Sequence, residues 1–124
     1  MAINSQKLGS ILQSFVTTTS DVEGAALVSP DGLPIAARLP SGMDEERTSA
    51  MSAAMLSLGE RIGVELSTGT IERLYVEGSN GYGILMGCGE DAVLLVLATK
   101  SAKQGLLMLE IRRTVAEIKS ILTS

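Results

Sequence analysis

The chain has no histidine, no tryptophan and one cysteine among its 124 residues, and each scarcity removes a class of chemistry. Without histidine there is no Ser-His-Asp or Cys-His arrangement, no imidazole general base and no ordinary zinc or non-haem iron site. Most hydrolase mechanisms drop out, no catalytic residue is assigned, and no cofactor or metal is expected. Cys88 has no second cysteine in the chain to pair with, so nothing points to an oxidising compartment. It reads as a small hydrophobe in a strand or turn. The aromatic residues are Phe15, Tyr75 and Tyr82, too few to build the aromatic walls common in small-molecule pockets. A bilayer-spanning run is also missing. The longest purely apolar stretch, Ala92 to Ala98, falls far short of the roughly 20 residues required. Met1-Ala2-Ile3-Asn4-Ser5-Gln6-Lys7 has no basic start followed by an apolar run, so no signal peptide is predicted and a cytoplasmic location is the expectation.

Hydrophobic residues make up 45% of the sequence and charged residues 19%, which supplies one core for one domain over residues 1–124. The formal net charge of −4 would repel a phosphate backbone and anionic lipid. Neither nucleic acid nor a membrane is an expected partner.

Along the chain, Leu8, Ile11, Leu12, Phe15 and Val16 recur at helical spacing and predict an amphipathic opening helix. Val22 to Ser29 and Ile35 to Leu39 flank Pro30-Asp31-Gly32-Leu33-Pro34. Asp-Gly between apolar runs predicts a hairpin, because glycine accepts positive φ and aspartate bonds the turn backbone. A long helix is predicted from Ser41 to Leu66, with Ser41 as cap and Asp44, Glu45 and Glu46 at the positive end of its dipole. Thr70 to Glu77 is rich in β-formers, the turn through Asn80-Gly81 follows, and Tyr82 to Met86 returns. Ala92 to Ala98 is apolar on both faces, so it predicts a central strand covered from both sides. Leu107, Ile111, Val115, Ile118 and Leu122 give a closing helix. The order is α-β-β-α-β-β-β-α.

The long helix carries two stripes. Met51, Ala54, Met55, Leu58 and Ile62 are expected to lie on the sheet, and beside them Ser52, Leu56, Gly59 and Gly63 form a line of mostly small residues that would admit another helix. Glycine costs about 1 kcal/mol in a helix interior, so Gly59 and Gly63 call for a packing reason. Other features carry less. Gly81-Tyr82-Gly83-Ile84-Leu85-Met86-Gly87 lacks the spacing of either nucleotide-binding glycine fingerprint and leads into a strand. Asp44, Glu45 and Glu46 point in different directions on a helix and serve the dipole rather than a cation. The arginines at 38, 47, 61, 73, 112 and 113 read as solvated surface charges.

The element order, the hairpin Gly24-Ala25-Ala26-Leu27-Val28-Ser29-Pro30-Asp31-Gly32-Leu33-Pro34-Ile35, the apolar fifth strand and the segment Lys103-Gln104-Gly105-Leu106-Leu107-Met108-Leu109-Glu110-Ile111-Arg112-Arg113 together resemble the Roadblock/dynein light chain superfamily. The likeness is to its stand-alone prokaryotic members, including the MglB type that regulates a Ras-like GTPase. The resemblance implies an α+β sandwich: a five-stranded antiparallel sheet with the long helix on one face and the two terminal helices on the other. It further implies a homodimer in which the long helices pair and the third strands join two sheets. That assigns Ser52, Leu56, Gly59, Gly63, Ile71, Arg73 and Tyr75 to the dimer interface. The implied partner is a Ras-like small GTPase in its GTP state, which MglB-type members engage as co-GTPase-activating proteins. With one face of the long helix on the sheet and a second on its twin, a third remains for that partner: Glu45, Glu46, Ser49, Ala53 and Glu60. The alternative reading is a small-molecule-sensing domain of PAS or GAF type, which also lays helices around an antiparallel sheet.

Overall fold

The changes of hydrophobic period along the sequence give the expected order of elements in the computed structural model, which describes residues 4–123, with two starts displaced by several residues. The order is α1 (Ser5–Thr18), β1 (Val22–Val28), β2 (Pro34–Arg38), α2 (Glu45–Glu65), β3 (Arg73–Glu77), β4 (Gly81–Gly87), β5 (Val93–Thr99) and α3 (Gln104–Leu122). The sheet runs β2-β1-β5-β4-β3, with every neighbouring pair antiparallel.

β5 sits at the centre, as its two apolar faces require. Ala25, Leu27, Ile84, Leu94, Val96 and Ala98 meet Leu8, Leu12 and Phe15 of α1 and Leu107, Ile111, Val115 and Ile118 of α3. Their alternates Ala26, Val28, Leu85, Val93 and Leu95 form a smaller core, with Met55 and Leu56 of α2 against it. The period of two along each strand thus divides the sheet into a face for the terminal helices and a face for α2.

Two helix starts show how local chemistry sets the ends. The Asn4 side chain accepts from the Lys7 N–H at 3.0 Å and caps α1. In α2 the cap is Asp44, not Ser41: its carboxylate accepts from the Arg47 N–H at 3.1 Å, and Gly42 at φ +87° turns the chain before helical geometry begins. β3 likewise starts at Arg73 rather than Thr70. Ser67 and Gly69 turn the chain at positive φ, and Ile71 is taken up in covering the last turns of α2.

The β1–β2 turn requires its glycine twice over. Gly32 has φ +88°, and a Cβ there would lie 3.2 Å from the Cα of Ala50. The turn is therefore pressed against α2, held by Gly32 N–H donating to the Ser29 carbonyl at 2.9 Å and Leu33 N–H donating to Ser29 Oγ at 3.1 Å. At the far end of the sheet, Lys100 pairs with Glu77 and donates to the Gly78 carbonyl, with its ammonium 4.8 Å from the Tyr82 ring centre. This ties the β3–β4 turn to the end of β5. Among the described residues, no helix is long and apolar enough to cross a membrane.

Candidate interaction surface

The two stripes of α2 exchange the places expected from the sequence. Ser52, Gly59 and Gly63 are buried against the chain's own sheet, and Leu56 is half-buried in the same core. Met51, Leu58 and Ile62 are 56%, 57% and 48% exposed, and Ala54 is exposed beside them. Of the stripe expected on the sheet, Met55 alone packs there. The reason is distance. A Cβ on Gly59 would come within 2.7 Å of Leu74 Cδ1, and one on Gly63 within 2.9 Å of Ile71 Cδ1 and 3.2 Å of the Gly69 carbonyl oxygen. Small residues let this helix settle onto β3 and the loop before it. Met51, Leu58 and Ile62 are turned outward.

The exposed stripe continues toward the C-terminal end of α2, where Val64 and Leu66 are also exposed. Beside it lies β3, which bonds to β4 on one side and is open on the other. Leu74 faces α2, while Tyr75 stands opposite Ile84 on the other sheet face and is 42% exposed. Arg73 is exposed and Ile71 half-buried at the same edge. An open edge strand next to an apolar helix face offers backbone hydrogen bonds and burial to one incoming chain.

The five residues expected to face a partner do not form one surface. Glu45, Glu46 and Glu60 are exposed, Ala53 is half-buried near the Asp31-Gly32 turn, and Ser49 is fully buried. The Ser49 hydroxyl has no hydrogen-bond partner among the described residues. Helical spacing placed Ser49 with the acids, but it could not show that the β1–β2 turn lies over the same side of the helix.

Among the described residues, burial outweighs the groups that would activate the Cys88 thiol. Cys88 lies in the core beside α3, its N–H donating to the Ala92 carbonyl at 2.8 Å. Burial pushes its pKa from 9.0 up to about 12, against the lowering influence of Lys119. Below pH 9 the thiol is protonated in both folded and unfolded chains. Between pH 9 and about 12 only the unfolded chain ionises it, so stability is expected to fall by about 1.4 kcal/mol per pH unit in that window. Denaturant melts from pH 8 to 11 should show this fall in the native chain and lose that component in Cys88→Ala. A thiol-specific reagent at pH 8 should label the folded chain only as it unfolds.

These features define an α/β sandwich of three layers whose middle helix and edge strand are uncovered on one side. The chain belongs to the Roadblock/LC7 domain family, which residues 8–98 match. Two uncharacterized proteins of Methanocaldococcus jannaschii are each 33% identical to it over 103 residues, spanning 83% of this chain and 90% of the relative. The same fold occurs in a Roadblock/LC7 domain from Streptomyces avermitilis, with a TM-score of 0.86 at 21% identity over 94% of this chain and 98% of that one. It occurs again in MglB of Myxococcus xanthus, with a TM-score of 0.90 at 15% identity over 99% and 92% of the two chains.

Proposed function

We propose that this protein is a non-catalytic homodimeric module that binds and regulates a Ras-like small GTPase. The observation that carries the reading is the exposed Met51, Leu58 and Ile62 stripe beside the open edge of β3. Leaving several large apolar side chains in water on one helix face is costly unless a partner covers them, and a second copy brings an identical stripe and an identical edge. Ile71, Arg73 and Tyr75 at that edge would then meet their counterparts. The dimer residues on α2 become Met51, Leu58 and Ile62, since Ser52, Gly59 and Gly63 are already covered by the sheet.

Membership of the Roadblock/LC7 family and a fold shared with MglB support the GTPase as partner. The docking surface we assign to it is the acidic rim of Glu45, Glu46 and Glu60, which would flank the paired helices and suit a basic protein surface. A PAS- or GAF-like sensor is the weaker reading, because side chains from the helices fill both faces of the sheet.

The test is Glu46→Lys combined with Glu60→Lys. Both positions are exposed, so the melting temperature and dimer should hardly change, with stability moving by about 0.5 kcal/mol or less. Affinity for a GTP-loaded Ras-like GTPase from the same genome should fall roughly tenfold or more, through slower, salt-sensitive association. Undiminished binding by the folded double variant would remove the acidic rim from the interface.

A further inference from the structure

On the sheet face opposite the exposed α2 stripe lies a groove of about 380 Å³ between the β3–β4 edge and α3. Its floor is apolar: Met86 of β4 and Val115 of α3 both pack on the core of the terminal-helix face. Its rim is basic. Arg73 is paired with Met86 across the β3–β4 ladder, so alternation puts both side chains on the α3 side of the sheet. Arg112, Val115 and Lys119 are spaced by three and four residues and fall on one line of α3. The fold thus brings cations from two elements, far apart in sequence, around one apolar trough.

Their lack of partners is the decisive feature. Arg73, Arg112 and Lys119 are exposed and form no ion pair with any described residue, although the chain carries more acids than bases. Glu72 is the one acid among the described residues that line the groove. An excess of unpaired positive charge in a concave site of an acidic protein is a local field directed at an incoming anion. The apolar floor adds a second requirement, burial of a hydrophobic side chain between the charges.

We propose that this groove binds an acidic segment of a partner protein, with an apolar side chain seated on Met86 and Val115 and carboxylates held by Arg73, Arg112 and Lys119. A nucleic-acid backbone would extend past the groove onto a surface of net negative charge, and a membrane surface is too flat to reach the trough floor. A short peptide meets both demands. The groove lies on the sheet face opposite the α2 stripe and does not rest on the GTPase reading, but Ile71 and Arg73 are shared with the β3 edge assigned above to the dimer, so Arg112 and Lys119 of α3 carry the test.

A fluorescein-labelled peptide of alternating glutamate and leucine serves as the probe, titrated with the full chain and read by fluorescence anisotropy. Saturable binding that weakens with added salt is expected, and the same peptide with lysine for glutamate should fail to bind. Arg112→Glu with Lys119→Glu should weaken binding at least about tenfold, while Glu72→Gln should strengthen it. Arg47→Glu with Arg61→Glu changes the net charge equally on α2, away from the groove, and should leave the affinity within about twofold. All the altered side chains are exposed, and an unchanged melting curve checks that each variant is folded. Absence of saturable binding, or an equal loss in the α2 pair, overturns the proposal. So does tighter binding to single-stranded DNA or to phosphatidylserine vesicles than to the peptide.

Discussion

Glutamate at both Leu58 and Ile62 is expected to yield a folded monomer. Both side chains are about half exposed and contribute little to the chain's own core, so the substitution should move intrinsic stability by only about 0.5 kcal/mol. In the proposed dimer the same positions lie near a two-fold axis, where each change is repeated by the partner copy. Burying a leucine or isoleucine is worth roughly 1.5–3 kcal/mol, and carboxylates placed face to face add repulsion and desolvation. Even if half of that burial is realised in each copy, the loss is about 4 kcal/mol, or roughly a thousandfold in the dimer dissociation constant. Sedimentation velocity at micromolar concentration should show the native chain as a dimer and the variant at half its mass, with the circular dichroism spectrum retained. A native chain that already sediments as a monomer, or a variant that remains dimeric, defeats the assignment of this stripe to self-association.

The strand order along the chain, the hairpin and the central strand were legible because each has a local cause. Asp31-Gly32 carries its own turn chemistry, and the apolar stretch through Val93–Leu97 has no polar face to give to water. The orientation of α2 was not legible. Periodicity separates the line of Met51, Leu58 and Ile62 from the line of Ser52, Gly59 and Gly63, but it is silent on which line meets the sheet. The usual rule that large apolar residues point inward fails here, since Leu74 and Ile71 already occupy the space under the helix and leave room only for glycine. A signal was present in the cost of two glycines in one helix, which demands a close neighbour without saying whether it lies inside or outside the chain. Ser49 went astray for a related reason: a turn from the hairpin covers it, and no local pattern encodes that contact. The spacing of Arg112, Val115 and Lys119 was visible, but the arrival of Arg73 beside them depends on the pairing of β3 with β4.

Gly59→Leu tests the helix orientation from within. Were Gly59 at a helix–helix contact between copies, leucine there would weaken the dimer and leave the protomer's fold intact. With Gly59 facing inward, the new side chain enters space where even its Cβ would sit 2.7 Å and 2.9 Å from the two terminal methyls of Leu74. Overpacking of this kind costs about 1–3 kcal/mol or more, and lifting α2 off the smaller core would add lost contacts at Leu56 and Met55. Removing a helical glycine returns about 1 kcal/mol, too little to cancel the clash. The expected result at fixed protein concentration is a stability loss of about 2–3 kcal/mol and a melting temperature lower by roughly 10 °C. Leu74→Ala should destabilise the native chain by opening a cavity, yet partly rescue Gly59→Leu by making room for it, a coupling of opposite sign to independent damage. That rescue is the distinguishing measurement, because Leu74 belongs to the same chain's β3 and shields Gly59 from any partner. A Gly59→Leu protein that melts with the native chain but sediments as a monomer would restore the small-residue stripe to the dimer and place Met51, Leu58 and Ile62 at another interface.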